Sequence, residues 1–389
     1  MLRNIRLLYI HNFLSDFWPQ WPFLVIYFTD IAGSYTAAMS VLALETIAAA
    51  LFDIPTGVFS DRMGRRLTMA TGSFSYAAGI AAYAFAHSVG LLYAGAILCG
   101  LGQCLFSGTT NALLFESLKS DNMQDRYHHY RGSTGSMYQL ALCLSAFLSI
   151  WLSHFGIRMI FMVAILPQVL AIIVSLFFEE PRQHMHTRPK GWSVLIQACV
   201  KTWRNPHLLW LVVARGISYG ASEARFKFLT AYVATVWPVW AVGLQRGINH
   251  IMGFLGFHLA GRIIERFGEP RLFIARDIVW FVFGMTGVAL NNFVSPILFT
   301  GNAFLFGPGE VASDHLMQKE FTDEERATMG SISSLAASIV FALMALCIGI
   351  VSDSFGIRTA VGLGFTVAAL SMPINFYIFR DRFKIPASR

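Results

Sequence analysis

Two stretches of the sequence share one pattern: GVFSDRMGR at residues 57–65 and GRIIERFGE at residues 261–269, which lie 204 positions apart. The tetrapeptide FGIR also occurs twice, at residues 155–158 and 355–358, with a nearly equal offset of 200 positions. Each copy occupies the same place in its half of the chain, next to long apolar runs. Such echoes indicate two parallel repeats in a membrane, related by an axis along the membrane normal.

The composition excludes an ordinary soluble globular domain, because 55% of the residues are hydrophobic, only 13% are charged and the mean hydropathy is +0.56. Apolar windows of about 20 residues, the length that crosses a hydrocarbon core, occur six times in each half. We therefore predict an all-α membrane protein with twelve transmembrane helices in two pseudo-symmetric six-helix bundles. The windows are residues 5–29, 36–59, 67–87, 90–116, 132–153 and 157–178, then 208–236, 241–261, 270–290, 294–316, 329–351 and 357–379.

The predicted domains are an N-terminal bundle (residues 1–178), a cytoplasmic linker (179–206) and a C-terminal bundle with a short cytoplasmic tail (207–389). Basic residues concentrate on the side that holds both termini and the linker, which predicts that this side is cytoplasmic. The net charge of +7 follows from such a positive inner face and needs no nucleic-acid partner. The five cysteines suggest neither a disulfide framework nor a metal site.

The run at residues 57–66 resembles the cytoplasmic signature of the major facilitator superfamily, G-x-x-x-D-R-x-G-R-R between spans two and three. Together with the weaker second copy, the linker and the twelve predicted spans, the resemblance covers essentially the whole chain. It implies the fold of that superfamily, a multi-pass protein of the bacterial inner membrane, and a monomer embedded in the lipid bilayer.

The resemblance also implies a gating role for this loop, which acts as a latch in the family. Its acid, here Asp61, engages a helix of the other half, while the arginines pair with nearby acids; glycines permit the turn. The alternative is that the basic residues only fix topology. We expect Glu116 to contact the other half and Asp53 to contact the latch arginines. The predicted gating residues are Asp53, Gly57, Asp61, Arg62, Gly64, Arg65, Arg66, Glu116, Glu265 and Arg266.

Local patterns resemble those of bacterial drug and metabolite exporters: DIPTG at 53–57, ALLFESL at 112–118 and RAT at 326–328. The sequence also departs from the proton-antiporter branch. Ala96 stands where that branch has an arginine in span four, and the Gly-Pro-rich motif of span five is missing from residues 132–153. The resemblance therefore implies the superfamily and leaves drug–proton antiport open.

Acids within the predicted spans are the main candidates for function, since a charge at the bilayer centre costs about 2.5–3.5 kcal/mol on insertion scales. Span one contains Asp16, with Gln20 one turn further on the same predicted helical face. Pro19 and Pro22 should break this helix and free polar backbone beside Asp16. We interpret this as a proton or substrate site; the alternative is an interfacial kink anchored by tryptophans.

The repeat offset places Glu223 of span seven near the equivalent of Asp16, so we expect both acids to face one cavity. Arg215 and Arg225 would either neutralise an acid there or bind an anionic group, because a guanidinium binds carboxylates in bidentate fashion. Structural pairing of Arg215 with a neighbouring acid is the alternative. In span two, Glu45 lies about 24 Å from the latch loop at 1.5 Å per residue, in the outer half. We interpret it as part of the outer cavity, with an outer gate as the alternative.

Spans eight and ten supply further polar candidates. Glu310 and Asp314 share a face of span ten after a predicted break at Gly-Pro-Gly (residues 307–309), a plausible coupling site. In span eight, Asn249 and His250 either face the cavity or form interhelical hydrogen bonds.

The favoured function is a secondary active transporter that moves a small organic, amphipathic solute by alternating access, as proton-coupled efflux. No phosphate-binding loop of the form G-x-x-x-x-G-K-[ST] is present, and we expect no cofactor and no bound metal. The alternatives are a proton-coupled importer of a metabolite or siderophore-like solute, and a membrane sensor that moves nothing. For a membrane-embedded enzyme, we would expect a nucleophile with a base within the spans, and none stands out in this sequence. Substrate, direction and the choice between proton and sodium stay open.

Overall fold

The computed structural model describes residues 2–121, 123, 127–180, 199–200, 202–318, 320 and 326–380. Within these ranges, some helical side chains also lie outside the description, Gly57 and Asp61 among them. The described residues are overwhelmingly helical and contain no β-strand. The prediction of an all-α membrane protein is confirmed.

The chain divides into two compact units. The first comprises Met1–Gly33 and Leu44–Trp192, and the second comprises Ser34–Ala43 and Ser193–Arg389. The domain limits at residues 178 and 206 stay predictions.

The helices of the first unit begin with a broken segment. Helix α1 ends at Ser15, and the chain is irregular until a short 3-10 turn at Trp21–Phe23 leads into α2. The prolines at 19 and 22 explain this break, because each removes a backbone donor and obstructs the preceding turn. The break was predicted, but the expectation that Asp16 and Gln20 share a helical face is wrong, since no helix joins them. The helices are α1 (Leu2–Ser15), α2 (Leu24–Ala32), α3 (Tyr35–Met63), α4 (Arg65–Ala84), α5 (Val89–Ser120), α6 (Tyr127–Ser153) and α7 (Ile157–Ser175).

The turn between α3 and α4 consists of Gly64 alone, whose φ of 86° lies in the left-handed region that favours glycine. A Cβ at this position would also lie 2.7 Å from the carboxyl carbon of Glu180. That carboxylate accepts hydrogen bonds from the backbone N–H groups of Arg65 (2.6 Å) and Arg66 (3.0 Å). Glu180 therefore caps the N-terminus of α4, where unpaired donors and the helix dipole favour a negative charge.

The second unit contains two interrupted helical segments. A π-helical turn at Ile217–Ala221 separates α8 from α9, and a 3-10 turn at Asn302–Leu305 precedes α13. The break predicted in span ten therefore occurs one turn before residues 307–309, which are helical. The helices are α8 (Pro206–Gly216), α9 (Ser222–Val236), α10 (Val239–Phe267), α11 (Glu269–Leu290), α12 (Ser295–Gly301), α13 (Phe306–Gln318), α14 (Arg326–Phe355), α15 (Ile357–Ala369) and α16 (Ser371–Phe379).

The second unit also includes the first turns of α3. Asp353, near the end of α14, accepts hydrogen bonds from the backbone N–H of Tyr35 (2.9 Å) and of Thr36 (2.8 Å) and from the Thr36 hydroxyl (2.6 Å). A carboxylate from another helix thus caps α3, as Glu180 caps α4.

Six helices of the described residues are individually long and apolar enough to cross a membrane. Shorter apolar helices occur at Trp21–Ala32 and Met137–Ser153. The twelve-span count therefore stays a prediction. The six are Tyr35–Asp53, Val89–Ser120, Ile157–Ser175, Glu269–Leu290, Met329–Phe355 and Ile357–Phe379.

Helices α10 and α13 pack closely in the second unit because glycines occupy both sides of their crossing. A Cβ added to Gly256 would overlap the carbonyl oxygen of Phe304, and a Cβ added to Gly307 would overlap the backbone nitrogen of Phe257. In a membrane, where helices associate through packing rather than hydrophobic transfer, small residues at the contact allow this approach.

Substitution of Gly256 by Ala tests this crossing. We expect Gly256→Ala to lower the free energy of unfolding by about 1–3 kcal/mol, the usual cost of overpacking, because the methyl group meets backbone. Gly253→Ala is the matched control on the same helix, since nothing lies within 4 Å of its added Cβ. The measurement is the thermal unfolding midpoint of the detergent-purified protein. Equal midpoints for the two variants would contradict the close crossing.

Candidate functional site

Glu45 lies in the interior of the first unit, with 8% of its surface exposed. The Tyr83 hydroxyl on α4 donates to its Oε2 (2.8 Å), and the Gln103 side-chain amide on α5 donates to its Oε1 (2.6 Å). Among the described residues, no Lys, Arg or His lies within ion-pair distance of this carboxylate. Glu45 is thus a buried acid held by neutral donors, a rare arrangement because an unpaired buried charge is costly.

Aromatic rings surround the break that carries Asp16. The Trp18 ring stacks on Tyr76 with centroids 6.0 Å apart, and it meets Trp21 at 5.7 Å and Tyr138 at 6.4 Å. Asp16 itself is half-buried. These rings supply flat apolar surface beside a carboxylate, which suits a partly apolar solute.

Gln20 ends the same break and is 2% exposed. Its side-chain carbonyl oxygen has no hydrogen-bond partner among the described residues. A second buried polar group that the sequence analysis did not select is His11, whose Nε2 lies 3.1 Å from the Ser73 hydroxyl. His11 could have been selected from the sequence, because an ionisable residue within a predicted span is a candidate for function.

The latch region of the first unit contains one well-formed ion pair. The guanidinium of Arg65 binds Glu116 through two contacts, 2.9 Å to Oε1 and 3.3 Å to Oε2, and donates to the Ser60 hydroxyl at 2.7 Å. The carboxylate of Glu116 therefore has a partner inside its own unit, and its expected contact with the other half stays a prediction. This pair joins the start of α4 to the last turn of α5.

The expected contact of Asp53 with the latch arginines stays a prediction. Asp53, Arg62 and Arg66 are exposed. Helix α3 continues through position 57, so the turn expected there occurs only at Gly64. The side chains of Gly57 and Asp61 lie outside the described residues, and the gating role of this loop stays a prediction.

The second unit brings together three predicted residues from α8 and α13. Arg215 binds Glu310 at 2.7 Å and Asp314 at 2.9 Å, and it also donates to the Ser313 hydroxyl at 3.1 Å. Arg215 therefore pairs with neighbouring acids, which is the alternative given in the sequence analysis. The π-helical turn after α8 and the 3-10 turn before α13 lie next to these residues in the chain.

Two residues of this cluster were missed in the sequence. Arg276 and Asp277, adjacent on α11, are 4% and 8% exposed and form an ion pair at 2.8 Å. Arg276 also lies 3.5 Å from Glu310, on the side opposite Arg215. The sequence feature that could have identified them is a pair of adjacent opposite charges within an apolar span. The cluster thus contains three carboxylates and two guanidinium groups, an excess of one acid.

The gating role of Glu265 and Arg266 in the second copy of the loop signature stays a prediction. Glu265 and Arg266 are exposed at the end of α10. Glu269, the first residue of α11, instead pairs with His315 on α13. Gly268, with a φ of 78°, occupies the same turn as Gly64 in the first unit.

Four further candidates lie on α9 and α10. Glu223 is half-buried in the first turn of α9, and Arg225 is 7% exposed two residues later. Asn249 and His250 are half-buried on α10. The expectation that Asp16 and Glu223 face one cavity stays a prediction.

Comparison with known proteins places the chain in a family. The sequence profile of the Major Facilitator Superfamily matches residues 8–307. Multidrug resistance protein MdtH of Klebsiella pneumoniae (strain 342) is 28% identical over 149 residues, and that of Cronobacter sakazakii is 31% identical over 104 residues. These matches cover 37% and 26% of this chain, and only 35% and 26% of the relatives' own lengths.

Solved transporter structures share the fold over nearly the full length. A mutant of the nucleoside transporter NupG has a TM-score of 0.82 at 12% identity, covering 97% of this chain and all of that one. An inward-facing bacterial homologue of the iron transporter ferroportin has a TM-score of 0.74 at 15% identity, with both chains fully covered. At such identities the likeness concerns the fold alone. The profile match extends over more than half of the sequence, and the chain belongs to the Major Facilitator Superfamily of membrane transporters.

Proposed function

We propose that this transporter exports a small amphipathic organic solute across the bacterial inner membrane, in exchange for protons that bind Glu45. The observation that carries the proposal is the environment of that carboxylate. It is buried, it has no cationic partner among the described residues, and both of its partners are neutral side chains.

The two partners of Glu45 suit both protonation states. When Glu45 is ionised, the Tyr83 hydroxyl and the Gln103 amide donate to it. When it is protonated, its O–H can donate a hydrogen bond to the Tyr83 hydroxyl or to the carbonyl oxygen of a rotated Gln103 amide, because both groups combine donor and acceptor atoms. A lysine or arginine partner would hold the ionised form only. The site therefore supports repeated binding and release of one proton.

The acid-rich cluster of the second unit is less suited to this role. A proton added to Glu310 would weaken its contacts with both Arg215 and Arg276. Asp314 has one arginine partner and a side chain that is 58% exposed. We therefore assign Glu310 to the stability of the cluster and treat Asp314 as the competing proton site.

Two observations support export of an amphipathic solute. The rings of Trp18, Tyr76 and Tyr138 lie together beside Asp16, and they offer apolar surface next to a charge. The relatives that match over part of the chain are named multidrug resistance proteins. Cytoplasmic termini and a monomeric state remain parts of the proposal.

Glu45→Gln tests the coupling in proteoliposomes that contain the full chain, screened over a panel of amphipathic compounds. With the lumen more acidic than the bath, the wild type should accumulate its solute by exchange. We expect Glu45→Gln to lose this accumulation, because an amide keeps the hydrogen bonds but carries no proton, while solute-for-solute counterflow persists. Asp30→Asn, at an exposed carboxylate, is the control and should behave as wild type.

The gradient direction separates the alternatives. Accumulation driven by an acidic bath would favour the importer, and accumulation driven only by sodium would refute proton coupling. Full gradient-driven accumulation by Glu45→Gln would overturn the assignment of the proton to Glu45, and the same assay on Asp314→Asn would then identify or exclude the competing site.

A second comparison tests the structural role of Glu310. Glu310→Gln leaves Arg215 and Arg276 without their shared partner, so we expect the free energy of unfolding to fall by up to about 3–5 kcal/mol, as for a broken buried ion pair. Asp314→Asn removes a more exposed contact, for which we expect a loss below about 1 kcal/mol. Thermal unfolding of the purified variants provides the measurement. A larger loss for Asp314→Asn than for Glu310→Gln would reverse the two roles.

A further inference from the structure

Two arginines of the second unit are buried without an acidic partner. Arg225 on α9 is 7% exposed and Arg246 on α10 is 3% exposed. Among the described residues, no carboxylate lies within the 4.0 Å ion-pair distance of either guanidinium. Each also retains a buried nitrogen without a hydrogen-bond partner there, Nε of Arg225 and Nη1 of Arg246.

Aromatic rings hold both guanidinium groups in place. The Cζ of Arg225 lies 4.1 Å from the ring centroid of Phe365 and 5.7 Å from that of Trp280. The Cζ of Arg246 lies 3.6 Å from the ring of Phe226, and its Nη2 donates to the backbone carbonyl of the same residue. Phe226 directly follows Arg225 on α9, and the two guanidinium groups lie close enough for their like charges to repel each other.

The nearby acids do not compensate these charges directly. Asp277 lines the same recess as Arg225, together with the hydroxyls of Ser218 and Ser222, but its Oδ1 is engaged by Arg276. Its other oxygen is buried without a partner in the described part of the chain, so it offers one acceptor to the recess. Glu223, two residues before Arg225, attracts both guanidinium groups electrostatically, but it lies outside the ion-pair distance of either.

A guanidinium removed from water needs an anion or a full set of acceptors to offset its lost hydration. Ring contacts supply part of this, since a cation over an aromatic face is stabilised electrostatically. Ring packing leaves Nε of Arg225 and Nη1 of Arg246 without an acceptor among the described residues. These N–H groups belong to the fork with which a guanidinium binds a carboxylate or phosphate.

We infer that Arg225 and Arg246 form a binding site for the anionic group, carboxylate or phosphate, of an organic solute. The inference rests on the proposed transport function and adds the chemical class of the solute. Phe365, Trp280 and Phe226 then serve twice, because they orient the guanidinium groups and offer apolar surface to the rest of the solute.

A matched series of benzyl and phenyl compounds tests the inference on the detergent-purified full chain at constant ionic strength. The probes are phenylacetate, phenyl phosphate, benzyl alcohol and benzylammonium, and the readout is the thermal unfolding midpoint. We expect at least one anion to raise the midpoint, and the neutral and cationic probes to leave it unchanged. The first two probes distinguish a carboxylate site from a phosphate site. Stabilisation by benzylammonium alone, or equally by all four probes, would overturn the inference.

Variants then locate the site by equilibrium dialysis with the radiolabelled anion that stabilises the wild type. We expect Arg225→Gln and Arg246→Gln each to weaken binding by about tenfold or more, the equivalent of one lost charge-assisted contact. Arg225→Lys should retain part of the affinity because it keeps the charge. Arg271→Gln, at an exposed arginine that begins α11, should bind as wild type. Wild-type binding by both glutamine variants would refute the site.

The two proposals can fail separately. Anion binding is measured without a proton gradient and does not involve Glu45. If the anion binds through Arg225 and Arg246 but no solute accumulates in the pH-gradient assay, the coupled export is wrong and the anion site stands. If gradient-driven export of a neutral or cationic solute occurs and no anion binds, the anion site is wrong and the coupling stands. The probe series decides even where a variant fails to fold.

Discussion

The need to hydrogen-bond every backbone group inside a hydrocarbon layer constrains the whole molecule. Helices satisfy this need within themselves, which is why the described residues form helices and no strands. An interruption is tolerated only where side chains or water provide new partners. The chain interrupts its helices between Ser15 and Leu24, at Ile217–Ala221 and at Asn302–Leu305. Asp16 lies in the first interruption, and Arg215, Arg225 and Glu310 lie within a few residues of the other two.

The two units treat buried charge in different ways. In the first, the partners of Glu45 among the described residues are neutral, and we propose that this carboxylate binds the coupling proton. In the second, Glu310 is fixed between Arg215 and Arg276, so its charge contributes to structure. The two glutamates thus differ in their neighbours, which are neutral donors around Glu45 and arginines around Glu310. Arg225 is the opposite case to Glu45, a buried cation whose neighbours are aromatic rings.

Local rules account for what the sequence predicted. The length of the apolar runs and the repeated turn motif indicated the fold class and the family, and Pro19 and Pro22 indicated the break in span one. The spacing of Glu310 and Asp314 correctly placed both acids toward one partner. Helix crossings, by contrast, depend on contacts between distant segments. Nothing local pairs Glu45 with Gln103, or Glu180 with the start of α4. The twelve-span count and the role of Asp61 still await a test.

The corresponding turns of the two repeats have diverged in the sign of their charges. After Gly64 comes Arg65, which binds Glu116; after Gly268 comes Glu269, which binds His315. Exchanging the two hairpins would set arginine beside His315 in one repeat and glutamate beside Glu116 in the other, where two carboxylates repel each other. The polarity of each turn therefore matches the side chain that it contacts, so that each hairpin fits its own unit. A folding chain gains in this way a bias against packing a hairpin into the wrong unit.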